Sequence, residues 1–154
     1  MALWFECKVR HDKTFENGTV KKVNEPYLVD ALSFTEAETR ITEELRPYIS
    51  GDFSIVAEKK TKISDIFFNS AGDRFYLVKV NFITINEKTG EDMKTENQIL
   101  VQASSFEDAL DKFKTGMKGT IADYEIASIA ETLIMDVFPV NLNPDYDKPP
   151  KNDR

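Results

Sequence analysis

The chain of 154 residues holds one cysteine, one histidine and one tryptophan. A single cysteine excludes an internal disulfide, and one His with one Cys cannot supply the ligands of a His/Cys zinc site, so no metal is expected. No apolar run approaches the roughly 20 residues that a membrane-spanning helix needs, so no membrane contact is expected. Glu6 and Lys8 interrupt the opening stretch before the apolar core of a secretory signal could develop, and a cytoplasmic protein is expected. The Asn17-Gly18-Thr19 sequon has no use there. Neither a G-x-x-x-x-G-K-[ST] loop nor a G-x-G-x-x-G turn is present, and no cofactor is expected. Basic residues are outnumbered, 20 Lys+Arg against 27 Asp+Glu, for a net charge of −7. What remains, 41% hydrophobic, has the make-up of one ordinary globular domain or of two small ones sharing a core.

An internal repeat organises that material. At an offset of 71 to 72 residues, Trp4-Phe5-Glu6-Cys7-Lys8-Val9-Arg10 aligns with Phe75-Tyr76-Leu77-Val78-Lys79-Val80-Asn81. Asn17-Gly18 aligns with Thr89-Gly90, and Leu28, Val29, Ala31, Ser33, Phe34 and Ala37 recur identically in the second half. Asp52, Ile55, Thr61, Ile63, Asp65 and Phe67 recur as Asp123, Ile126, Thr132, Ile134, Asp136 and Phe138. Matching order and spacing mark a tandem duplication, with repeats at 1–72 and 73–138 expected to form one joint compact domain.

Each half carries the same local signals. Phe5, Cys7 and Val9 alternate with Trp4, Glu6, Lys8 and Arg10, the period of a half-buried strand. Asn17-Gly18 predicts a hairpin, because both residues tolerate positive φ. Pro26, lacking an N–H, predicts an edge or a bulge in the second strand. Ser33 with Glu36 makes a capping-box pattern, and Ser105 with Asp108 a weaker version. Behind them Phe34, Ala37, Ile41 and Leu45, and then Phe106, Ala109, Phe113 and Met117, form single apolar stripes on helices. Asp52 to Phe68 and Asp123 to Phe138 each predict one bent strand or two short ones. The expected class is α+β: a duplicated β-β-α-β(-β) unit forming two mainly antiparallel sheets, or one continuous sheet, under two amphipathic helices. After Phe138, Pro139, Pro144, Pro149 and Pro150 predict a mobile tail over 139–154.

Catalysis finds little support. His11 reads as a solvated turn histidine, and Cys7 as a small buried hydrophobe instead of a nucleophile. Glu6-Cys7-Lys8 and Glu58-Lys59-Lys60 fit half of a metal-dependent nuclease pattern, which with Asp52 leaves a remote catalytic reading on Asp52, Glu58 and Lys60. The repeated pairs Asp52/Asp123 and Asp65/Asp136 read as strand-end or turn residues, or else as a paired carboxylate site. No catalytic residue is assigned, and a non-enzyme is expected.

The sheet face away from the helices offers more. On it an aromatic precedes a lysine by four residues twice, Trp4 with Lys8 and Phe75 with Lys79, and Arg10, Lys21, Lys22, Lys59 and Lys60 add charge nearby. Aromatics for base stacking with lysines for phosphates make a single-stranded DNA or RNA platform. Residues 1–72 carry 10 bases and 12 acids (−2), while 73–154 carry 10 and 15 (−5), so such a face belongs mainly to the first half. In the competing reading Trp4 and Phe75 bury between the halves and the lysines only solvate the sheet. The second functional class is a protein-interaction or assembly module that pairs with another protein, or with itself, through a sheet edge.

The opening Trp4–Arg10 stretch, Glu25 to Glu38 with its Tyr27-Leu28-Val29-Asp30-Ala31-Leu32-Ser33-Phe34 core, and Ile49-Ser50-Gly51 resemble a family of small uncharacterised proteins of gut Bacteroidetes, their phages and mobile elements. The resemblance implies a cytoplasmic protein tied to DNA maintenance, and transfers no residue role. The strand order around the junction is similar to that of Whirly and PUR-type single-strand binders, a likeness of fold order alone.

Overall fold

The structure is a computed structural model, and it describes residues 3–140. Ten elements follow in chain order: β1 (Trp4–Thr14), β2 (Val20–Asp30), α1 (Phe34–Leu45), β3 (Phe53–Lys60), β4 (Ile63–Phe67), β5 (Arg74–Ile85), β6 (Asp92–Ala103), α2 (Phe106–Gly116), β7 (Asp123–Glu131) and β8 (Val137–Phe138). The class is α+β and the duplication is visible in every element, as β-β-α-β-β twice over. Each long C-terminal segment of a repeat is two strands.

The hairpins close by a route other than the expected one. Gly18 and Gly90 take φ of 80° and 73°, while among the described residues none other than glycine has positive φ. Asn17 therefore stays in ordinary space, and the Gly18 amide donates to the Phe15 carbonyl (2.9 Å). Both helices start as their serines dictate. Ser33 Oγ accepts from the Glu36 amide and Ser105 Oγ from the Asp108 amide, both at 3.1 Å. The acids reach back in turn, Glu36 to the Leu32 amide (3.4 Å) and Asp108 to the Ser104 amide (2.9 Å), which satisfies donors that helix starts leave free.

Two four-stranded mixed sheets form, in the orders β3-β1-β2-β8 and β4-β6-β5-β7, so the expectation of one continuous sheet does not hold. The central pairings β1–β2, β1–β3, β5–β6 and β5–β7 are antiparallel, and β8 on β2 and β4 on β6 are parallel. The last strand of each repeat thus completes the sheet of the other repeat. Two compact units result, residues 3–61 with 133–140, and residues 62–132. They cut across the boundaries 1–72 and 73–138, because a local hydrophobic pattern marks a strand but not its partner. Pro26 is accommodated by this exchange. β8 covers only Leu28 and Val29, so Pro26 lies just past its end, where its carbonyl accepts from the Met135 amide (2.8 Å). Of the stretch 139–154, residues 141 onward lie outside the described residues.

In the first unit α1 packs Ala37, Ile41 and Leu45 on Phe5, Cys7, Val9, Tyr27, Val29 and Phe138. In the second, Phe113 of α2 and Met117 at its C-cap pack on Val78, Val80, Ile99 and Val101, with Ala109 against Tyr76 and Ala103. Duplicated threonines end the outer strands alike. Thr61 donates its amide and hydroxyl to the Trp4 carbonyl (2.8 Å each), and Thr132 does so to the Phe75 carbonyl (2.9 and 2.8 Å).

Candidate nucleic-acid interface

The β1 register divides the expected basic residues between two faces. On the face turned away from α1, Glu6 stands between Leu28 and Lys59, Lys8 between Pro26 and Ala57, and Arg10 between Asn24 and Ser54, while Asp12 faces Lys22. Lys8, Arg10, Lys22 and Lys59 therefore share one face. Lys59 pairs with Glu6 (3.7 Å) and Lys22 with Asp12 (3.2 Å). Lys8 and Arg10 are exposed, about 7 Å apart along the strand, and make no ion pair among the described residues. Small neutral side chains flank them on the neighbouring strands, and the nearest acids along β1, Glu6 and Asp12, are engaged by Lys59 and Lys22.

The other expected residues are not brought to this surface. Lys21 faces Lys13 on the α1 side, where its ammonium sits 5.9 Å from the Phe15 ring, and Lys60 faces Phe5 on that same side. Lys79 belongs to the second unit, flanked by Gln98 and Ser128. Its open face also carries Asp92, Glu96, Asp123 and Glu125, and Lys94 is tied to Glu125 (2.8 Å), so acids outnumber bases there. Trp4 and Phe75 are 4% and 3% exposed. Their rings are buried and not available as stacking platforms, which corrects the expectation that these two aromatics stack bases. Strand alternation names the face of a residue, but not whether that face is covered.

A scan against family models matches residues 3–140 to Domain of unknown function (DUF4494). The chain belongs to this family. Comparison with curated proteins and with solved structures returns no match. The DUF4494 chain accordingly inherits no residue role, and the chemistry must be read from its own side chains.

Among the described residues no group of three or more His, Cys, Asp or Glu is placed to hold a metal ion. Asp52 and Glu58 stand at opposite ends of β3, roughly 20 Å apart along an extended strand. Asp65 lies within β4 at its register shift and Asp136 immediately before β8, each accepting from the next residue's amide at 2.8 Å. Burial, aided by Glu58, Glu38 and Glu6, pushes the fully enclosed Cys7 thiol up to about 12, so it stays protonated and unreactive at neutral pH. His11 is not a solvated turn residue. It lies within β1 with its side chain 10% exposed, and its Nε2 is 2.6 Å from Glu25 Oε1. Pro26 and Ala57 beside Lys8, and Asn24 and Ser54 beside Arg10, carry no signal in the sequence, because their placement depends on the β1–β2 and β1–β3 registers.

No helix among the described residues is long and apolar enough to cross a membrane.

Proposed function

We propose that this DUF4494 chain is a non-catalytic binding protein that takes single-stranded nucleic acid by its phosphates, across the exposed Lys8–Arg10 stretch of the first sheet's face turned away from α1. The observation that supports this reading is the exposed pair Lys8 and Arg10, without an ion pair among the described residues, with Lys22 and Lys59 on the same face. Cations spaced along a strand meet successive phosphates of an extended polyanion. Buried Trp4 and Phe75 supply no stacking, so the contact is electrostatic and sequence-independent. The net charge of −7 repels nucleic acid at long range, which confines binding to this patch and makes it weak. A cytoplasmic setting in Bacteroidetes, their phages or mobile elements, implied by the resemblance noted above, suits a protein that meets DNA strands during maintenance.

The test is fluorescence anisotropy of a labelled thymidine oligonucleotide at low and high salt. With up to four cations engaged, log K is expected to fall with log salt at a slope of about −3, and Lys8→Glu with Arg10→Glu weakens low-salt binding at least about tenfold. Absence of binding at low salt, or binding untouched by the double reversal, overturns the reading.

A further inference from the structure

A strand with an unpaired backbone row is a template for another chain unless something guards it. The strands at the ends of the two sheets are β3, β8, β4 and β7, and each is guarded. β8 is two residues long, and β4 is short with a register shift between Ile63 and Asp65. β3 and β7 are longer but bulged, their extra residues being Val56 and Ala127. The inner strands β2 and β6 outrun these short neighbours, and so carry open edges of their own among the described residues. That of β2 holds the adjacent Lys21 and Lys22 and ends on Pro26, and both lysine and proline are edge guards.

The open edge of β6 covers residues 92–97, because β4 begins only opposite Gln98. It contains no proline, glycine or bulge, and its ladder with β5 is unbroken from Arg74 with Ala103 to Ile85 with Asp92. Met93 is 49% exposed on it. Met93 and Thr95 lie on the side of Phe82, which packs towards α2, while Asp92, Lys94 and Glu96 lie on the opposite face.

Laid antiparallel against the same edge of a second copy, this stretch accepts few registers. Facing residues must both turn their N–H and C=O groups outward, so the two-fold axis passes at a residue and not between two. Centred on Asp92, Lys94 or Glu96, that residue faces its own like charge, which is destabilising. Centred on Thr95, Lys94 faces Glu96, but Asp92 comes level with Gln98, where Ile63 already stands, and the partner's turn runs into β4. Centred on Met93, Asp92 faces Lys94 twice, Met93 meets Met93, and Glu91 comes level with Thr95. The turn itself is compact, its Asn86 amide donating to the Glu91 carbonyl (2.8 Å) and its Gly90 amide to the Asn86 carbonyl (2.7 Å), so it stops about where β4 begins.

We propose that residues 91–95 pair with the same residues of a second copy of this chain, antiparallel and centred on Met93, which joins two second units through one sheet. Lys94 is already bonded to Glu125 (2.8 Å), so turning it to the partner's Asp92 exchanges one exposed ion pair for another. Charge therefore chooses the register, while backbone pairing and the Met93 contact supply the affinity. Both copies use the same surface, so the contact closes at two chains and does not propagate. It does not depend on the nucleic-acid reading, since Lys8 and Arg10 belong to the first sheet.

The experiment is sedimentation equilibrium of the full chain up to about 1 mM, because so short a ladder covers well under the roughly 800 Å² per partner of a stable interface and binds weakly. The mass rises with concentration from one chain towards two. Met93→Lys, at an exposed position, abolishes the rise, with circular dichroism verifying its fold. Asp92→Lys and Lys94→Asp each weaken association at least about fivefold, because the two-fold axis turns two opposite-charge pairs into like-charge ones. Mixed in equal amounts, these two variants associate as the wild type does, since each supplies the charge that the other lacks. One chain at every concentration, a mass beyond two chains, association untouched by Met93→Lys, or no recovery in the mixture overturns the proposal.

Discussion

Glu25 lies on the α1 side of the first sheet, held by His11 Nε2 at 2.6 Å and by the Lys13 ammonium at 3.0 Å. Burial alone would raise its carboxyl, but the hydrogen bonds from His11 and Lys13 outweigh it, and the net direction is down from 4.5. A carboxylate whose folded value is depressed contributes stability above its unfolded value, and that contribution is lost as pH falls through the folded value. The urea midpoint of the wild type should therefore exceed that of Glu25→Gln by a constant margin above pH 4.5, and the margin should close below it. Because the cluster is partly open to water, the margin is small, about 1 kcal/mol. A difference that persists unchanged in strong acid would remove the charge from the explanation. None of this cluster is legible in the sequence, since His11 and Glu25 lie 14 residues apart and meet only through the β1–β2 register. The same limit explains Trp4 and Phe75. Alternation placed Cys7 and Val9 on the covered face correctly, but it carries no information about cover on the other side.

Local chemistry decided the elements better than it decided the faces. Ser33 with Glu36 and Ser105 with Asp108 announce both helix starts, and the apolar stripes behind them are the ones that bury. The Asn69–Asp73 link is a short turn in which the Gly72 amide donates to the Asn69 carbonyl (2.9 Å), and its main constraint is hidden in the sequence. Gln102 clamps it, accepting from the Asn69 amide and donating to the Gly72 carbonyl, both at 3.0 Å. Gly72 then passes so close to β6 that an added Cβ would lie 2.6 Å from the Ala103 Cα. Backbone cannot rotate away as a side-chain tip can, so Gly72→Ala should cost about 3 kcal/mol or more, as overpacking and a displaced turn combine. Gly90→Ala is the control. It has φ of 73° and nothing within 4 Å, so its cost should be only the left-handed strain of about 1 kcal/mol. Thermal unfolding of both variants checks the order, and equal losses would contradict the close approach.

At the scale of the molecule the decisive property is the exchange of last strands, which the repeat alignment conceals because each strand looks like part of its own repeat. Phe138 ends the second repeat but is 4% exposed in the core of the first unit, its ring stacked on Tyr27 at 6.0 Å. Phe67 ends the first repeat but packs in the second unit, 6.1 Å from the Phe113 ring and so tight on α2 that a Cβ at Gly116 would meet it at 2.5 Å. Removing either ring leaves a cavity in a unit that its own repeat does not build. Phe138→Ala should cost about 3–5 kcal/mol, and the half-buried Phe67→Ala somewhat less. Where the loss appears separates exchange from simple tandem folding. Amide exchange should quicken in β1, β2 and α1 for Phe138→Ala, and in β5, β6 and α2 for Phe67→Ala. If each substitution instead loosened the repeat that carries it in sequence, β4 and β8 would be pairing at home, and the division of the chain into two strand-exchanged units would fail.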